Sequence, residues 1–183
     1  THPTDTKHLG EYVHCDLARA IVNGSQDALA LDSACRAADV VVHCAAWPGP
    51  AAMPPPAVVA SGAAATPRIG LEPASPAEVL ADNVGSTSAV CDAAVRAGAS
   101  RVVLSSSAFA IGYSHAAAGP QAYAPRRLPV RECDAGLPHE SYGLSKLCSE
   151  EVLSAAARTA HATSFVSLRF PNIIKAELWD TLP

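Results

Sequence analysis

A chain of 183 residues, 49% hydrophobic and 16% charged, can bury one sizeable core and is too apolar to be disordered. Its formal net charge of −4, with basic residues scattered apart from the Arg126-Arg127 pair, argues against nucleic acid as the main partner. Six cysteines, at 15, 35, 44, 91, 133 and 148, form no C-x-x-C pair, which favours a reduced intracellular protein over a disulfide scaffold or a zinc site.

No apolar run is long enough to cross a bilayer. The most apolar stretch begins at Val40 and is cut by Pro48, Pro50 and Pro54-Pro55-Pro56 before about 18 residues accumulate. The sequence starts at Thr1 and its one methionine is Met53, so a native start outside it is expected. The expected location is cytoplasmic, with organelle targeting left open by the unseen start.

In chain order, "EYVHCDL" (11–17) reads as a short strand ending at an aspartate, followed by a helix over "QDALALDSACRAA" (26–38). "DVVVHCAA" (39–46) is a β-branched run of the kind found in strands buried on both faces. A long helix is predicted over 75–98, with Ser75 as cap, Pro76 in the first turn and Gly98 as the stop. "SRVVLSSS" (100–107) is a buried strand, 142–159 a helix, and "TSFVSLRF" (163–170) a further strand. Alternation at this spacing describes an α/β chain with a parallel sheet and right-handed crossovers. Cys15, Cys44 and Cys91 sit in apolar runs, where a thiol behaves as a small hydrophobe.

Two stretches break the rhythm. Residues 47–76 hold eight of the 15 prolines and read as a Pro/Ala-rich loop insertion within a single domain. Residues 114–141 form a second long connection, of the kind that lines ligand sites beyond strand ends.

The strand over 100–107 brings Ser105, Ser106 and Ser107 to its C-terminal end, and Tyr142 and Lys146 share a face of the next helix. With four tyrosines and three lysines in the chain, a chance Tyr-x-x-x-Lys is expected about 7% of the time, so the pair alone is a hint. "HCAA" (43–46) ends the neighbouring strand in small residues that would let a flat cofactor approach the backbone. A tyrosine, with a reference pKa of about 10, is a poor base at neutral pH. An ammonium about 4 Å away contributes roughly 4 kcal/mol at an effective dielectric of about 20, enough to lower that pKa by up to about three units. A serine would hold a substrate hydroxyl or carbonyl against the tyrosine oxygen. This is the chemistry of hydride transfer coupled to proton transfer. Ser105 and Ser106 read as strand-end hydroxyls bonding to backbone, and His43 as a packed, hydrogen-bonded histidine without metal-ligand partners.

These residues resemble the extended short-chain dehydrogenase/reductase superfamily, in its NAD-dependent epimerase/dehydratase branch. The resemblance runs through Asp16-Leu17, "HCAA" (43–46), "DNVGSTSAVCDAAVRAGASRVVLSSSAFAIGY" (82–113), "SYGLSK" (141–146) and "LRFPNI" (168–173). The "SSSAFAIGY" stretch is also loosely similar to uronate dehydrogenases. The resemblance implies a partial Rossmann-type doubly wound parallel sheet, lacking the first βαβ unit and most of the C-terminal substrate domain. Residues 1–183 would form one incomplete NAD(P)-binding domain. It further implies NAD as cofactor, NADP not being excluded, a sugar-like small-molecule substrate (nucleotide sugar or uronate), and a homodimer for the full-length protein. Neither nucleic acid, membrane nor metal is implied.

By position, the resemblance makes Ser107 the active-site serine, Tyr142 the general acid/base, and Lys146 the residue that binds the nicotinamide ribose and depresses the tyrosine pKa. Asp16 and Leu17 match the pair contacting the adenine, and Cys44, Ala45 and Ala46 the loop along the dinucleotide. Asn83 matches a helix asparagine on the cofactor, Pro171 a backbone contact near the nicotinamide, and Asn172 a substrate-facing asparagine. Asp16 is also placed to cap a helix, and Asn83 to tie down a neighbouring loop.

The family's glycine-rich turn does not occur here: no G-x-x-G-x-x-G can be drawn in the sequence. The chain is therefore expected to be a partial, inactive piece of an enzyme that binds NAD poorly. Its strand at 39–46 should be an exposed apolar edge, with the strand at 11–17 paired to it or unpaired at the margin. The alternative is a non-catalytic dinucleotide-fold module with a redox-sensing or scaffolding role.

Overall fold

The computed structural model describes residues 13–47, 75–113 and 128–171. Most of the Pro/Ala-rich segment 47–76, the Arg126-Arg127 pair, much of the 114–141 connection, and Asn172 lie outside the described residues.

Helix α1 (Gln26–Arg36) begins where the Ser25 hydroxyl accepts the Ala28 N–H, and strand β1 (Val40–His43) follows. Helix α2 (Pro76–Ala97) has a full capping box. Ser75 accepts the Glu78 N–H, the Glu78 carboxylate accepts the Ser75 N–H, and Pro76 fills the first turn. Gly98, at φ 76°, ends it in the left-handed conformation that a residue without Cβ adopts freely. Strand β2 (Arg101–Ser107) leads into a 3-10 turn (Ala108–Ile111), and helix α3 (Ser141–Ala157) precedes strand β3 (Ser164–Phe170).

The three strands form a parallel sheet in the order β1-β2-β3. Val41 pairs with Val102 and His43 with Leu104, while Val102 faces Phe165 and Ser106 faces Arg169. The core lies between this sheet and helices α2 and α3, built from Cys91, Ala94, Ala99, Val102, Leu104 and Leu153. Helix α1 packs on α2, where Arg96 pairs with Asp32 at 2.7 Å.

Strand parity explains which face is covered. Val102, Leu104 and Ser106 are buried beneath the helices. The opposite face carries the row Val42, Val103 and Val166, with Val42 60% and Val166 38% exposed. The run at 39–46 is thus not buried on both faces, because α2 and α3 cover the same side of the sheet. Its expected exposed apolar edge is present: among the described residues nothing pairs with the free edge of β1.

The expected strand at 11–17 is not formed over its described part, which lies unpaired, with residues 17–20 in a turn. The chain there docks on the start of α1. The Asp27 carboxylate accepts the Asp16 N–H at 2.8 Å, and the Asp27 carbonyl accepts the Cys15 thiol at 3.3 Å. Cys44 also departs from expectation, being exposed just past β1, whereas Cys91 is buried and its thiol pushed up to about 12 by burial and Asp92.

Leu104 is fully enclosed and Val42 is not, so truncating each tests the one-sided sheet. Leu104→Ala should lower the unfolding free energy by about 3 kcal/mol, and Val42→Thr should change it by less than about 0.5 kcal/mol. Urea denaturation reads both, and equal losses would contradict the assigned faces.

Candidate active site at the strand ends

Helix α3 starts at an acidic cap. The Glu140 carboxylate accepts the N–H groups of Tyr142 at 2.8 Å and Gly143 at 2.5 Å, fixing the turn that carries Tyr142. Gly143 lies so close to the end of the 3-10 turn that a Cβ there would fall 2.5 Å from the Phe109 carbonyl oxygen. The Phe109 ring meets the Tyr142 ring edge-on, with centroids 5.8 Å apart.

This packing brings Ser107, Tyr142 and Lys146 together. The Ser107 hydroxyl accepts the Phe109 N–H at 3.2 Å and lies beside the Tyr142 phenol, whose ionised form it favours. Lys146, 4% exposed, donates to the Ser105 carbonyl at 2.7 Å, and its Nζ stands 5.6 Å from the centre of the Tyr142 ring. The electrostatics differ from the sequence expectation. Burial pushes the Tyr142 phenol up, the Ser107 hydrogen bond pulls it back, and the Glu140 carboxylate pushes it up again. Desolvation thus outweighs the stabilisation of a phenolate in this environment. Burial also lowers the Lys146 ammonium, with Cys44 acting in the opposite sense.

The strand-end hydroxyls behave differently from one another. Ser105 contributes its carbonyl, while the Ser106 hydroxyl donates to the Glu150 carboxylate rather than to backbone. Glu150 in turn holds Arg169 through a bidentate pair, with Oε2 2.7 Å from Nη2. Sequence reasoning passed over both, because they meet only when α3 lies across β2 and β3.

Most residues matched to the cofactor also converge, Cys44 excepted. Asp16, Leu17, Ala45, Ala46 and Asn83 line one cavity of about 360 Å³ with Trp47 and Asp82. Asp16 caps the 17–20 turn there, its carboxylate accepting the Ala18 N–H at 3.1 Å. Asn83 is buried and ties down the loop after β1. Its Oδ1 accepts the Trp47 N–H at 2.7 Å, and its Nδ2 donates to the Trp47 carbonyl and the Ser145 hydroxyl, each at 2.9 Å. Its side-chain polar atoms are thus engaged within the protein. Pro171 is exposed directly after β3. A separate cavity of about 710 Å³ lies along β3, away from the Ser107 and Tyr142 side chains. No cluster of potential metal ligands occurs among the described residues, and no helix among them is long and apolar enough to cross a membrane.

A model of the NAD dependent epimerase/dehydratase family matches residues 50–177. The chain is 32% identical over 102 residues to a UDP-glucose 4-epimerase of Azospirillum brasilense, a match covering 56% of this chain and 26% of that protein. Among solved structures it resembles a short-chain dehydrogenase/reductase superfamily protein from Agrobacterium tumefaciens with bound NAD. That likeness has a TM-score of 0.60 at 27% identity and covers 91% of this chain and 39% of the other. A UDP-glucose 4-epimerase from Brucella ovis in complex with NAD shares the fold, with a TM-score of 0.60 at 24% identity over 89% of this chain and 39% of its own. The chain therefore spans only 39% of each of these two structures.

His43 gives the site a measurable pH dependence. It is buried with Nε2 3.2 Å from the Thr87 hydroxyl, and burial, followed by the Lys146 charge, lowers its pKa from 6.5 to about 4. The unfolded chain takes up this proton near pH 6.5 and the folded one only near 4. Stability is therefore fully present above that window and lost as pH falls through it, by up to about 3 kcal/mol. Chemical denaturation across this range should show a steeper loss for the parent chain than for His43→Gln; parallel curves would exclude a buried neutral histidine.

Proposed function

Because the chain belongs to the NAD-dependent epimerase/dehydratase family, we propose that Ser107, Tyr142 and Lys146 carry hydride and proton transfer at a sugar carbon bearing a hydroxyl. The substrate class is a nucleotide sugar, with a uronate as the other candidate, and the likeness to a UDP-glucose 4-epimerase favours the former. The observation carrying this reading is the buried Lys146 ammonium, held by the Ser105 carbonyl at 2.7 Å and 5.6 Å from the centre of the Tyr142 ring, at the strand end that carries Ser107.

The residues present suit a dinucleotide at its adenosine end. The cavity beside Asp16 and Leu17 opens onto Ala45 and Ala46, whose small side chains leave the backbone approachable. Asp16 and Leu17 would contact the adenine, Cys44 to Ala46 would follow the dinucleotide, Lys146 would hold the ribose, and Pro171 would lie near the nicotinamide. Asn83 would shape this path by fixing Trp47. When bound, oxidised NAD supplies a hydride acceptor and a positive charge near the phenol.

The chain's own groups then divide the proton work. Tyr142 takes the proton of the sugar hydroxyl at its phenol oxygen, and returns it on reduction. Ser107 holds the sugar oxygen against that phenol, and Lys146 favours the phenolate by its charge. Desolvation opposes the phenolate, so this site needs additional positive charge to make Tyr142 an effective base.

A second reading, a non-catalytic dinucleotide-fold module or an inactive piece of the enzyme, is favoured by the sequence's lack of a glycine-rich turn. That turn would offer backbone N–H groups and a helix N-terminus to the pyrophosphate. Calorimetry of the 183-residue chain with NAD should accordingly show weak binding, and micromolar affinity would overturn this part of the proposal. In a reading frame extended upstream of Thr1 to encode such a turn, Tyr142→Phe should cut turnover of UDP-glucose roughly a hundredfold or more. Intact turnover would exclude Tyr142 as the acid/base.

A further inference from the structure

One stripe of α3 meets three consecutive strand residues. Tyr142, Lys146 and Glu150 recur every four positions, so they lie along one helix face. Tyr142 meets the Ser107 hydroxyl, Lys146 the Ser105 carbonyl, and Glu150 the Ser106 hydroxyl. The first two partners belong to the chemistry proposed above; the third does not. Ser106 lies between the two anchors, and its side chain leaves the strand on the covered face, beside Arg169 in the β2–β3 register. Glu150 binds both. Its Oε1 accepts from Ser106 and from Arg169 Nε, and its Oε2 accepts from Arg169 Nε and Nη2 at 3.1 and 2.7 Å.

We propose that Glu150 is a positioning residue, whose bonds to Ser106 and Arg169 clamp the ends of β2 and β3 to α3 and thereby set Ser105 and Ser107 against Lys146 and Tyr142. This role rests on the proposed Ser/Tyr/Lys site. The clamp is suited to the task because it is charged and multiply bonded. The Glu150 side chain is 10% exposed and that of Arg169 24%, at the border of the cavity along β3, and charge-assisted bonds of this kind are stronger than neutral ones. A bidentate guanidinium–carboxylate pair also fixes direction, which a single hydrogen bond leaves looser. Because Ser106 is bonded to the peptides of both neighbours, a slip of its side chain displaces the Ser105 carbonyl and the Ser107 hydroxyl together. The same pair reaches β3 one residue before Phe170, so it also fixes where Pro171 begins.

The test reads Lys146 directly, without cofactor or substrate. Acetic anhydride labelling in competition with Lys7 and Lys175, the other lysines of the chain, followed by mass spectrometry gives the relative reactivity of Lys146. Ser106→Ala removes the strand arm and keeps the ion pair, so it is the variant least exposed to folding failure. It should raise Lys146 labelling roughly fivefold through local opening. Glu150→Gln should do the same or more. Ser149→Ala, which removes a neighbouring buried hydroxyl bonded to Thr87, serves as the control and should leave Lys146 labelling at the parent rate. Unchanged labelling in both Ser106→Ala and Glu150→Gln would overturn the proposal, as would an equal rise in Ser149→Ala, which would reveal general loosening. A clamp effect with no turnover in any form of the protein would instead count against the enzymatic reading alone.

Discussion

An ammonium ion inside a protein must find an acceptor, and the Ser105 carbonyl, 2.7 Å from Lys146 Nζ, is where this one finds it. The bond fixes how α3 lies across the end of β2. Once Lys146 is seated, the residue one turn earlier can only be near Ser107, and the residue one turn later near Ser106. The phenol beside Ser107, the buried acid on Ser106 and the edge-on Phe109 ring all share that one registration. A side chain bearing no charge would leave the helix free to slide by fractions of an ångström, over which hydrogen bonds weaken steeply.

The residues around the cavity beside Asp16 are tied to a second, polar seam between the N-terminal halves of α2 and α3. Asn83 holds Trp47 by both backbone groups and reaches Ser145, whose hydroxyl donates to the Tyr142 carbonyl at 2.7 Å. Thr87 joins His43 to Ser149 across the same interface. The cavity beside Asp16 and the phenol of Tyr142 are therefore tied to one rigid pair of helices. Among the described residues nothing comparable covers the far face of the sheet, where Val42, Val103 and Val166 form a row. Parallel sheets are ordinarily covered on both faces, and here the order of the site comes from one.

What the sequence made legible was local or strongly patterned. The β-branched runs announced β1 and β2, and Ser75, Pro76 and Gly98 marked the two ends of α2 through chemistry confined to a few residues. The spacing of Tyr142 and Lys146 placed them on one face because helical geometry leaves no choice. The failures share a cause too. "EYVHCDL" has the composition of a strand, but a strand exists only when another backbone pairs with it; the described part binds Asp27 instead. Ser106 was assigned to backbone because its partner, Glu150, lies 44 residues away and nothing nearby points to it. Asn83 reads equally well as cofactor contact or loop anchor, and its bonds to both backbone groups of Trp47 go to the loop. The Tyr142 phenol was expected to be lowered by a neighbouring charge, a calculation that ignored the burial accompanying the charge.

Gly143 has a consequence that belongs to genetics rather than to energetics. With the Phe109 carbonyl oxygen 2.5 Å from where its Cβ would be, every other amino acid has to move either the first turn of α3 or the 3-10 turn after β2. Position 143 contributes no proton, charge or contact to a substrate. In a saturation library scored by folded yield it would nonetheless stand out as intolerant, and an inventory of such positions would credit it with a role its missing side chain cannot play. Its intolerance records only the absence of room.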